Sequence, residues 1–310
     1  MTATPASSPA ALLDHLRGLD RWPWPTQHAR LTPLSGGLNN SNWHLDVEGT
    51  SYFLKLPGAA TEGFADHRLA VAAARSAAAL GVGPTVVHED EEHGVQVHAF
   101  LDGYRPLDTY EVLSPDRALD VVRMYRTLHA GPLLPVTRAY DDDTDSALAD
   151  ARRLPGLFPA WASPVLDAWP TVRAALRAGG FDPMPCHNDP NPLNFMYRPG
   201  RPLQLVDHEF AANNDPAFEV SVFLRMLDFT EGQRRELLEE YHGRLEARHE
   251  ARMHLLTFAC YLRFGVWARE KAHVTDPDYD FTKYGSVYLL SAAELLRDPR
   301  WSSWLDAARG

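Results

Sequence analysis

The chain contains little cysteine: two in 310 residues, Cys186 and Cys260. They lie far apart and follow no repeated spacing, so neither a disulfide framework nor a cysteine-based zinc site is expected. Cys186 directly precedes His187, a pairing that raises the question of a thiol nucleophile. We expect a small buried hydrophobic side chain instead, because that is how an isolated cysteine commonly behaves.

Positive charge is also scarce. Lysine and arginine total 30 against 41 aspartates and glutamates, and the net charge is −11. Nucleic-acid binding is therefore not expected, because a phosphate backbone is bound through a basic surface. A negative field concentrates cations, so the same charge is compatible with a small cationic substrate.

The sequence also lacks a long apolar run and a basic N-terminal segment. No stretch reaches the roughly 20 apolar residues of a membrane helix, and the N-terminus does not have the pattern of a secretory signal peptide. We therefore expect a cytoplasmic protein without a membrane span, and leave its oligomeric state open. Residues 1–9, composed mainly of Ala, Ser, Thr and Pro, are expected to be disordered.

The most informative stretch covers residues 185–215. It contains an H-x-D-x-x-x-x-N motif formed by His187, Asp189 and Asn194, followed by a short apolar segment that ends in Asp207. This order suits metal-assisted phosphoryl transfer, in which one carboxylate orients and deprotonates the accepting hydroxyl while an amide oxygen and a second carboxylate bind Mg²⁺. Oxygen ligands suit such a hard cation. The alternative is an ordinary polar surface loop, whose residue spacing and following strand match the pattern of a phosphoryl-transfer site by accident.

A glycine-containing turn and a lysine lie upstream of this loop. Glycine lets the backbone approach phosphates, and small polar residues offer donors. The candidate phosphate-contacting residues of the turn are Gly36, Gly37, Asn39, Asn40, Ser41 and Asn42. Lys55, in a predicted strand over residues 51–56, is expected to place a positive charge on nucleotide phosphates. Taken singly, each feature is also typical of an ordinary hairpin with a solvated lysine.

Together these motifs resemble the protein-kinase-like small-molecule kinases, a group that includes the choline/ethanolamine kinases, thiamine kinases and aminoglycoside phosphotransferases. The C-H-N-D of residues 186–189 and the D-x-E of residues 207–209 are most similar to choline kinases. The resemblance covers most of the chain, and it implies ATP as the phosphoryl donor and Mg²⁺ as the metal.

The same resemblance implies roles for the residues of the loop. Asp189 is expected to act as the catalytic base, and His187 to hold the loop backbone. Asn194 and Asp207 are expected to bind Mg²⁺, and Lys55 to contact the nucleotide phosphates.

The resemblance implies an α+β, bilobal, protein-kinase-like fold. Residues 1–102 are expected to form a small lobe with a five-stranded antiparallel sheet and one main helix. Residues 103–310 are expected to form a larger, mainly helical lobe with the catalytic loop and the substrate pocket. Helical spacing of apolar residues predicts helices over residues 64–80, 115–129, 166–178, 216–227, 231–248, 252–271 and 281–296. The acidic run of residues 141–145 is expected to be a solvated helix start rather than a metal site.

Aromatic residues near the C-terminus indicate the acceptor. Phe264 and Trp267 are three residues apart on one predicted helix, and Tyr284 and Tyr288 are four apart on the next. An aromatic box binds a quaternary ammonium by cation–π attraction, although each residue taken alone is more typical of a core. The resemblance favours choline or ethanolamine, with Glu209 as a further substrate residue. Thiamine and aminoglycoside kinases, or a non-catalytic nucleotide- or amine-binding relative, are the alternatives.

Three positions depart from the family pattern. Val71 stands where related kinases place the helix glutamate that pairs with the strand lysine. His208 occupies the centre of D-x-E, where an aromatic residue is usual, and Glu219 stands where an aspartate is usual. These departures concern the rate of turnover and the identity of the substrate, while Asp189, Asn194 and Asp207 are all retained.

Overall fold

A computed structural model describes residues 8–19, 22–25, 28–34, 40–57, 66–154, 156–227, 229–274 and 280–310. The chain divides into two compact units, the first comprising Met1–Asp108 and Asn191–Ala211, the second Thr109–Pro190 and Ala212–Gly310. The predicted lobes met at a single boundary after residue 102. In the structure the chain passes from one unit to the other three times, after residues 108, 190 and 211. Within the described ranges, no helix is both long and apolar enough to cross a membrane.

The strands are short and belong to three small sheets. In chain order they are β1 (Ala29–Pro33), β2 (Asn40–Val47), β3 (Thr50–Pro57), β4 (Val86–Asp90), β5 (Val95–Ala99), β6 (Arg105–Pro106), β7 (Met184–Cys186), β8 (Phe195–Tyr197), β9 (Gln204–Leu205) and β10 (Ala212–Asn214).

The α-helices account for most of the second unit. In chain order they are α1 (Pro9–Arg17), α2 (His67–Ala79), α3 (Thr109–Val112), α4 (Pro115–His129), α5 (Tyr140–Ala151), α6 (Ser163–Gly179), α7 (Pro216–Met226), α8 (Glu231–His242), α9 (Ala247–Val274), α10 (Phe281–Leu296) and α11 (Trp301–Ala307).

The first unit is built on a five-stranded antiparallel sheet in the order β1-β2-β3-β5-β4, as predicted. Alternate side chains of the central strands point into one core, and Leu45, Leu54 and Val97 are fully buried there. Helix α1 adds Leu12 and Leu16 to the same core. Because Ser8 caps α1 and Pro9 is its first residue, the expectation of disorder was wrong for these two residues, while residues 1–7 lie outside the described part.

The second unit is organised around the long helix α9, which packs against α5, α6, α7, α10 and α11. Its core includes Trp169, Phe218, Phe258 and Leu289, all with almost no exposed surface. The predicted α+β class and mainly helical second part are thus confirmed.

Two local predictions in this unit were wrong. The single helix expected over residues 231–248 ends at His242, because Gly243 takes the left-handed conformation (φ 75°) and its N–H closes the last turn on Glu239. The acidic run does begin a helix, but Asp141 is only 2% exposed and pairs with Arg173 and Arg177 of α6. It is a buried ion-pair residue rather than a solvated one.

Candidate functional site

The β8–β9 hairpin of the first unit brings Asn194 and Asp207 to the same end of one small ladder. Phe195 pairs with Leu205, and the Val206 N–H donates to the Asn194 carbonyl at 3.0 Å. Asn194 lies directly outside this pair and Asp207 lies two positions beyond Leu205, so the hairpin brings an amide and a carboxylate to the same end of the ladder. Both are oxygen ligands of the kind that Mg²⁺ prefers.

Lys55 on β3 is held by two carboxylates of the segment that follows β9. Its Nζ lies 2.5 Å from Asp207 Oδ1 and 2.8 Å from Glu209 Oε1, and its side chain is 12% exposed. Asp207 itself has left-handed backbone angles (φ 68°, ψ 63°), which aspartate tolerates better than most residues. Charge-assisted hydrogen bonds of this kind are roughly twice as strong as neutral ones, so they fix the position of the lysine.

The predicted phosphate-contacting turn lies partly outside the described residues, because Gly36, Gly37 and Asn39 fall in the range 35–39. The other three members lie in β2, which begins at Asn40. Asn42 pairs in register with Lys55. The Ser41 hydroxyl accepts a hydrogen bond from the indole of Trp43 at 3.0 Å.

Asn40 joins the carboxylate cluster, since its amide donates to Glu209. Val71, by contrast, is a buried apolar residue of α2, and this helix packs against the turn of residues 208–210. The structure therefore brings Asn40, Lys55, Asp207 and Glu209 together without an acid at position 71.

The H-N-D motif lies in the second unit, directly after β7. Strand β7 pairs with β10, Cys186 facing Ala212. His187 is fully buried, and its Nδ1 donates to the carbonyl of Asp189 at 3.1 Å. Asn188 has a positive φ of 64°, and its side-chain oxygen accepts from the Asn214 amide at 2.9 Å. His187 thus bonds the loop backbone, which is the contact expected of it.

Glu219 organises this loop from α7. Its carboxylate is fully buried, and it accepts the backbone N–H of His187 at 3.2 Å and that of Asn188 at 2.7 Å. These bonds hold two consecutive peptides immediately before Asp189. Glu219, which the sequence analysis noted only as a departure from the family pattern, is therefore a central hydrogen-bond acceptor of the loop.

His129 and Tyr241 extend the same network and were not found by sequence reasoning. His129 Nε2 lies 2.7 Å from Glu219, and the Tyr241 hydroxyl lies 2.7 Å from His129 Nδ1. The Glu219 carboxylate accepts, so Nε2 of His129 donates to it, and the Tyr241 hydroxyl is the partner of the other ring nitrogen. No local sequence motif predicts this network, because His129 and Tyr241 lie 90 and 22 positions from Glu219 in the sequence.

The ligand atoms of His129, Cys186 and Glu219 lie within 4.8 Å of one another, a spacing that would allow metal binding. However, both Glu219 oxygens already accept backbone N–H groups, and burial raises the pKa of the Cys186 thiol well above its usual range. A protonated thiol is neither a good metal ligand nor a nucleophile. Burial likewise raises the pKa of Cys260 to about 12. Hydrogen bonding explains this group of side chains better than a metal does.

The predicted substrate aromatics form a continuous stripe where α9 meets α10. The rings of Trp267 and Tyr284 are 6.5 Å apart, and those of Tyr284 and Tyr288 are 4.8 Å apart with their hydroxyls at 3.0 Å. Phe264 follows at 5.6 Å from Tyr288, and the Arg263 guanidinium lies 5.7 Å from the Phe264 ring. All four predicted aromatics are partly exposed, while Phe264 and Tyr288 also pack against the core.

Comparison with known proteins finds relatives both in sequence and in structure. A curated relative, Protein LicA of Haemophilus influenzae, is 22% identical over 294 residues, covering 87% of this chain and 82% of that protein. A solved choline/ethanolamine kinase family protein from Mesorhizobium loti has a TM-score of 0.81 at 24% identity, covering 97% of this chain and 98% of its own. The choline kinase LicA from Streptococcus pneumoniae has a TM-score of 0.71 at 20% identity, covering 85% and 93%.

At these identities the likeness to solved structures establishes the fold. The family assignment rests on residues 30–256, which match the phosphotransferase enzyme family over well more than half of the chain. The protein belongs to that family of phosphotransferases and has a protein-kinase-like fold.

Proposed function

We propose that the protein transfers the γ-phosphoryl group of ATP, with Mg²⁺, to the hydroxyl of a small amino alcohol, most simply choline or ethanolamine. The observation that supports this most strongly is the convergence of Asp207 and Glu209 on Lys55, at the end of the hairpin that also presents Asn194. Two carboxylates, a lysine and an amide are the groups that a metal–nucleotide complex requires.

The donor set fits the metal. Asn194 and Asp207 offer an amide oxygen and a carboxylate, and Glu209 adds a second carboxylate nearby. These oxygen ligands suit Mg²⁺, and no thiol belongs to this group of side chains. When bound, Mg²⁺ neutralises the charge that develops on the phosphate oxygens. Lys55 exchanges Asp207 for phosphate oxygens while Glu209 continues to hold it, because a flexible ammonium has three donors.

Asp189 orients the accepting hydroxyl and takes its proton in this proposal. The loop geometry supports that role, because His187 bonds the Asp189 carbonyl and Glu219 holds the two preceding peptides. A base on a rigid backbone loses little freedom when the reacting groups come together. The γ-phosphoryl group passes directly to the hydroxyl oxygen of the acceptor as its bond to the β-phosphate oxygen breaks, and ADP leaves.

In the same proposal Glu209 also anchors Lys55. Related kinases anchor the strand lysine through a helix glutamate, and Val71 cannot do so. Glu209 lies 2.8 Å from Lys55 and is itself held by Asn40, so it supplies the missing anchor.

The aromatic stripe supports an ammonium-bearing acceptor. Trp267, Tyr284 and Tyr288 present partly exposed rings within a few ångströms of one another, and such rings attract a weakly hydrated cation. Thiamine, which also carries a quaternary nitrogen and a hydroxyl, remains the nearest rival acceptor, ahead of aminoglycosides. A non-catalytic relative would bind nucleotide without releasing ADP.

Coupled ADP release with Mg-ATP tests the proposal against choline, ethanolamine, thiamine and kanamycin. We expect an acceptor-dependent rate with choline or ethanolamine. Asp189→Asn should abolish turnover and leave nucleotide affinity within a few-fold, because the carboxamide retains the size of the side chain but cannot take a proton. Near-normal turnover in Asp189→Asn would contradict the base assignment. Nucleotide binding without ADP release for any acceptor would favour the non-catalytic reading.

A further inference from the structure

The hydrogen-bond chain behind the Asp189 loop continues to the end of α8. From the loop it passes through Glu219 and His129 to the Tyr241 hydroxyl, with 2.7 Å between the bonded atoms on each side of the His129 ring. Tyr241 is the last residue but one of α8. The position of the loop is thus linked to a helix that carries none of the predicted site residues.

A stacked pair of histidines holds this end of α8. The rings of His242 and His249 lie 3.8 Å apart and are nearly parallel, with an angle of 8° between them. His249, in the first turn of α9, is itself fixed, since its Nδ1 accepts the backbone N–H of Glu246 at 3.2 Å. The stack therefore joins the C-terminus of α8 to the N-terminus of α9 across the connection of residues 243–246.

Both rings of the stack are uncharged at neutral pH. Burial, followed by His249, Arg248 and Arg252, lowers the pKa of His242 to about 4. Burial is also the main reason why the pKa of His249 is lowered. Two uncharged rings do not repel one another, so the stacked contact stabilises the corner between the two helices.

Tyr241 packs between the stack and the buried network. Its ring meets that of His242 edge to face at 4.9 Å and that of His129 edge to face at 5.7 Å. The preceding Glu240 binds Arg123 of α4 at 2.9 Å, but the arginine side chain is 57% exposed, and exposed ion pairs contribute little. The ring contacts are therefore the main restraint that aims the Tyr241 hydroxyl at His129.

We propose that Tyr241 is a positioning residue for the loop that carries Asp189, and that the stacked histidine pair keeps it in place. It acts through His129 and Glu219. A hydroxyl bonded to one ring nitrogen of His129 fixes the orientation of the ring, and so keeps the other nitrogen directed at the carboxylate that holds the loop. The effect on turnover rests on the proposed function, whereas the effect on the loop backbone does not.

Tyr241→Phe tests the proposal, because it removes only the hydroxyl. Hydrogen exchange of the full chain, read by mass spectrometry on the peptide with the His187 and Asn188 amides, should become faster by about tenfold, since the loop opens more readily. The same variant should lower kcat by about fivefold without changing the KM for ATP. Tyr140→Phe removes a buried hydroxyl that has no hydrogen-bond partner among the described residues. It is the matched control and should leave both quantities unchanged.

The stack is tested at His249. His249→Phe keeps an uncharged ring and should leave the exchange of the loop peptide unchanged, whereas His249→Ala should make it faster by about threefold. If circular dichroism shows that Tyr241→Phe does not fold, His249→Ala decides, because it leaves the hydroxyl in place. Equal exchange in His249→Ala and the wild type would overturn the role of the stack.

A double variant shows whether Tyr241 acts through Glu219. Added to Glu219→Gln, the Tyr241→Phe change should have little further effect on exchange, because both remove the same restraint. Full additivity would overturn the proposal, as would unchanged exchange in Tyr241→Phe or an equal change in Tyr140→Phe. Faster exchange in Tyr241→Phe, with no ADP release by the wild type for any acceptor, would support the positioning role and contradict the proposed function alone.

Discussion

At the scale of single residues, the loop that carries Asp189 depends on a buried carboxylate more than on its own sequence. Glu219 accepts hydrogen bonds from two consecutive backbone N–H groups and from His129, which in turn is held by Tyr241. A buried carboxylate is tolerated only when hydrogen bonds replace its hydration, and here three of them do. The positive φ of Asn188 is maintained by the same network.

Glu219→Gln should lower kcat by about tenfold to a hundredfold with little change in the KM for ATP, because a loop displaced by a fraction of an ångström misplaces Asp189, the proposed base. It should also lower the free energy of unfolding by about 1–3 kcal/mol. One of the two buried backbone N–H groups then faces the amide NH2, which is a donor and cannot accept its hydrogen bond. Steady-state kinetics and urea denaturation measure the two effects. Glu239→Gln, an exposed glutamate of α8, is the control, and equal losses in both variants would contradict the role of Glu219.

Glu209→Gln tests the anchor of Lys55. The amide keeps the shape of the side chain but removes the charge that holds the ammonium, so we expect the KM for ATP to rise by about tenfold, equivalent to about 1.4 kcal/mol. Val71 offers no compensating acid. Kinetics at varied ATP concentration provide the measurement, and an unchanged KM would show that Asp207 alone positions Lys55.

At the scale of elements, the aromatic stripe exists because α9 and α10 approach closely at two glycines. A Cβ on Gly285 would lie 2.9 Å from the Gly265 carbonyl oxygen, and one on Gly265 would lie 2.8 Å from Leu289. The close crossing sets the distances between Trp267 on α9 and Tyr284 on α10. The spacing of the rings is therefore a property of the helix pair.

Gly285→Ala should destabilise the protein by about 1–3 kcal/mol, because backbone atoms rather than a flexible side chain must move to admit the methyl group. It should also raise the KM for the acceptor if the stripe binds the ammonium. Gly232→Ala is the matched control: the position lies in the first turn of α8 with no atom near the added Cβ. The free energy of unfolding should increase there by about 0.4–1 kcal/mol, because alanine reduces the conformational entropy of the unfolded chain. Thermal unfolding compares the two variants, and similar shifts in both would disprove the close-contact argument.

At the scale of the whole molecule, buried and half-buried histidines that stay neutral in the folded chain connect stability to pH. Burial, with the charge of Lys55, lowers the pKa of His98 to about 4, and burial, with the neighbouring His249, lowers the pKa of His242 to about 4. His254 follows the same direction, to about 3. In each case the unfolded chain binds a proton more readily than the folded one. The associated stability is fully present above pH 6.5 and is lost as the pH falls toward 4.

The free energy of unfolding should therefore decrease steadily between pH 6.5 and 4. His98→Gln should reduce that slope by up to about 1.4 kcal/mol per pH unit, the contribution of one proton. Urea denaturation at a series of pH values measures the slope. His273→Gln, an exposed position at the end of α9, should leave it unchanged, and a flat wild-type profile would contradict the prediction.

The sequence by itself determined the order of the elements and the chemistry of the loop. Apolar spacing along each segment fixes which face is buried, so α4 and α10 followed from the pattern, whereas the five-stranded sheet was implied by the family resemblance. The H-x-D-x-x-x-x-N motif identified phosphoryl transfer because its functional residues are close in the chain. The limit of such patterns is visible at buried Asp141, whose partners Arg173 and Arg177 come from another helix.

Only the tertiary structure decided which distant residues complete each group. Lys55 meets Asp207 and Glu209 across more than 150 positions, and His129 meets Glu219 across 90. Contacts of this length leave no periodic signal, because they depend on where whole elements pack rather than on the residues that flank them. The same reason explains why Glu219 looked like a departure in sequence and is an organising residue in the fold.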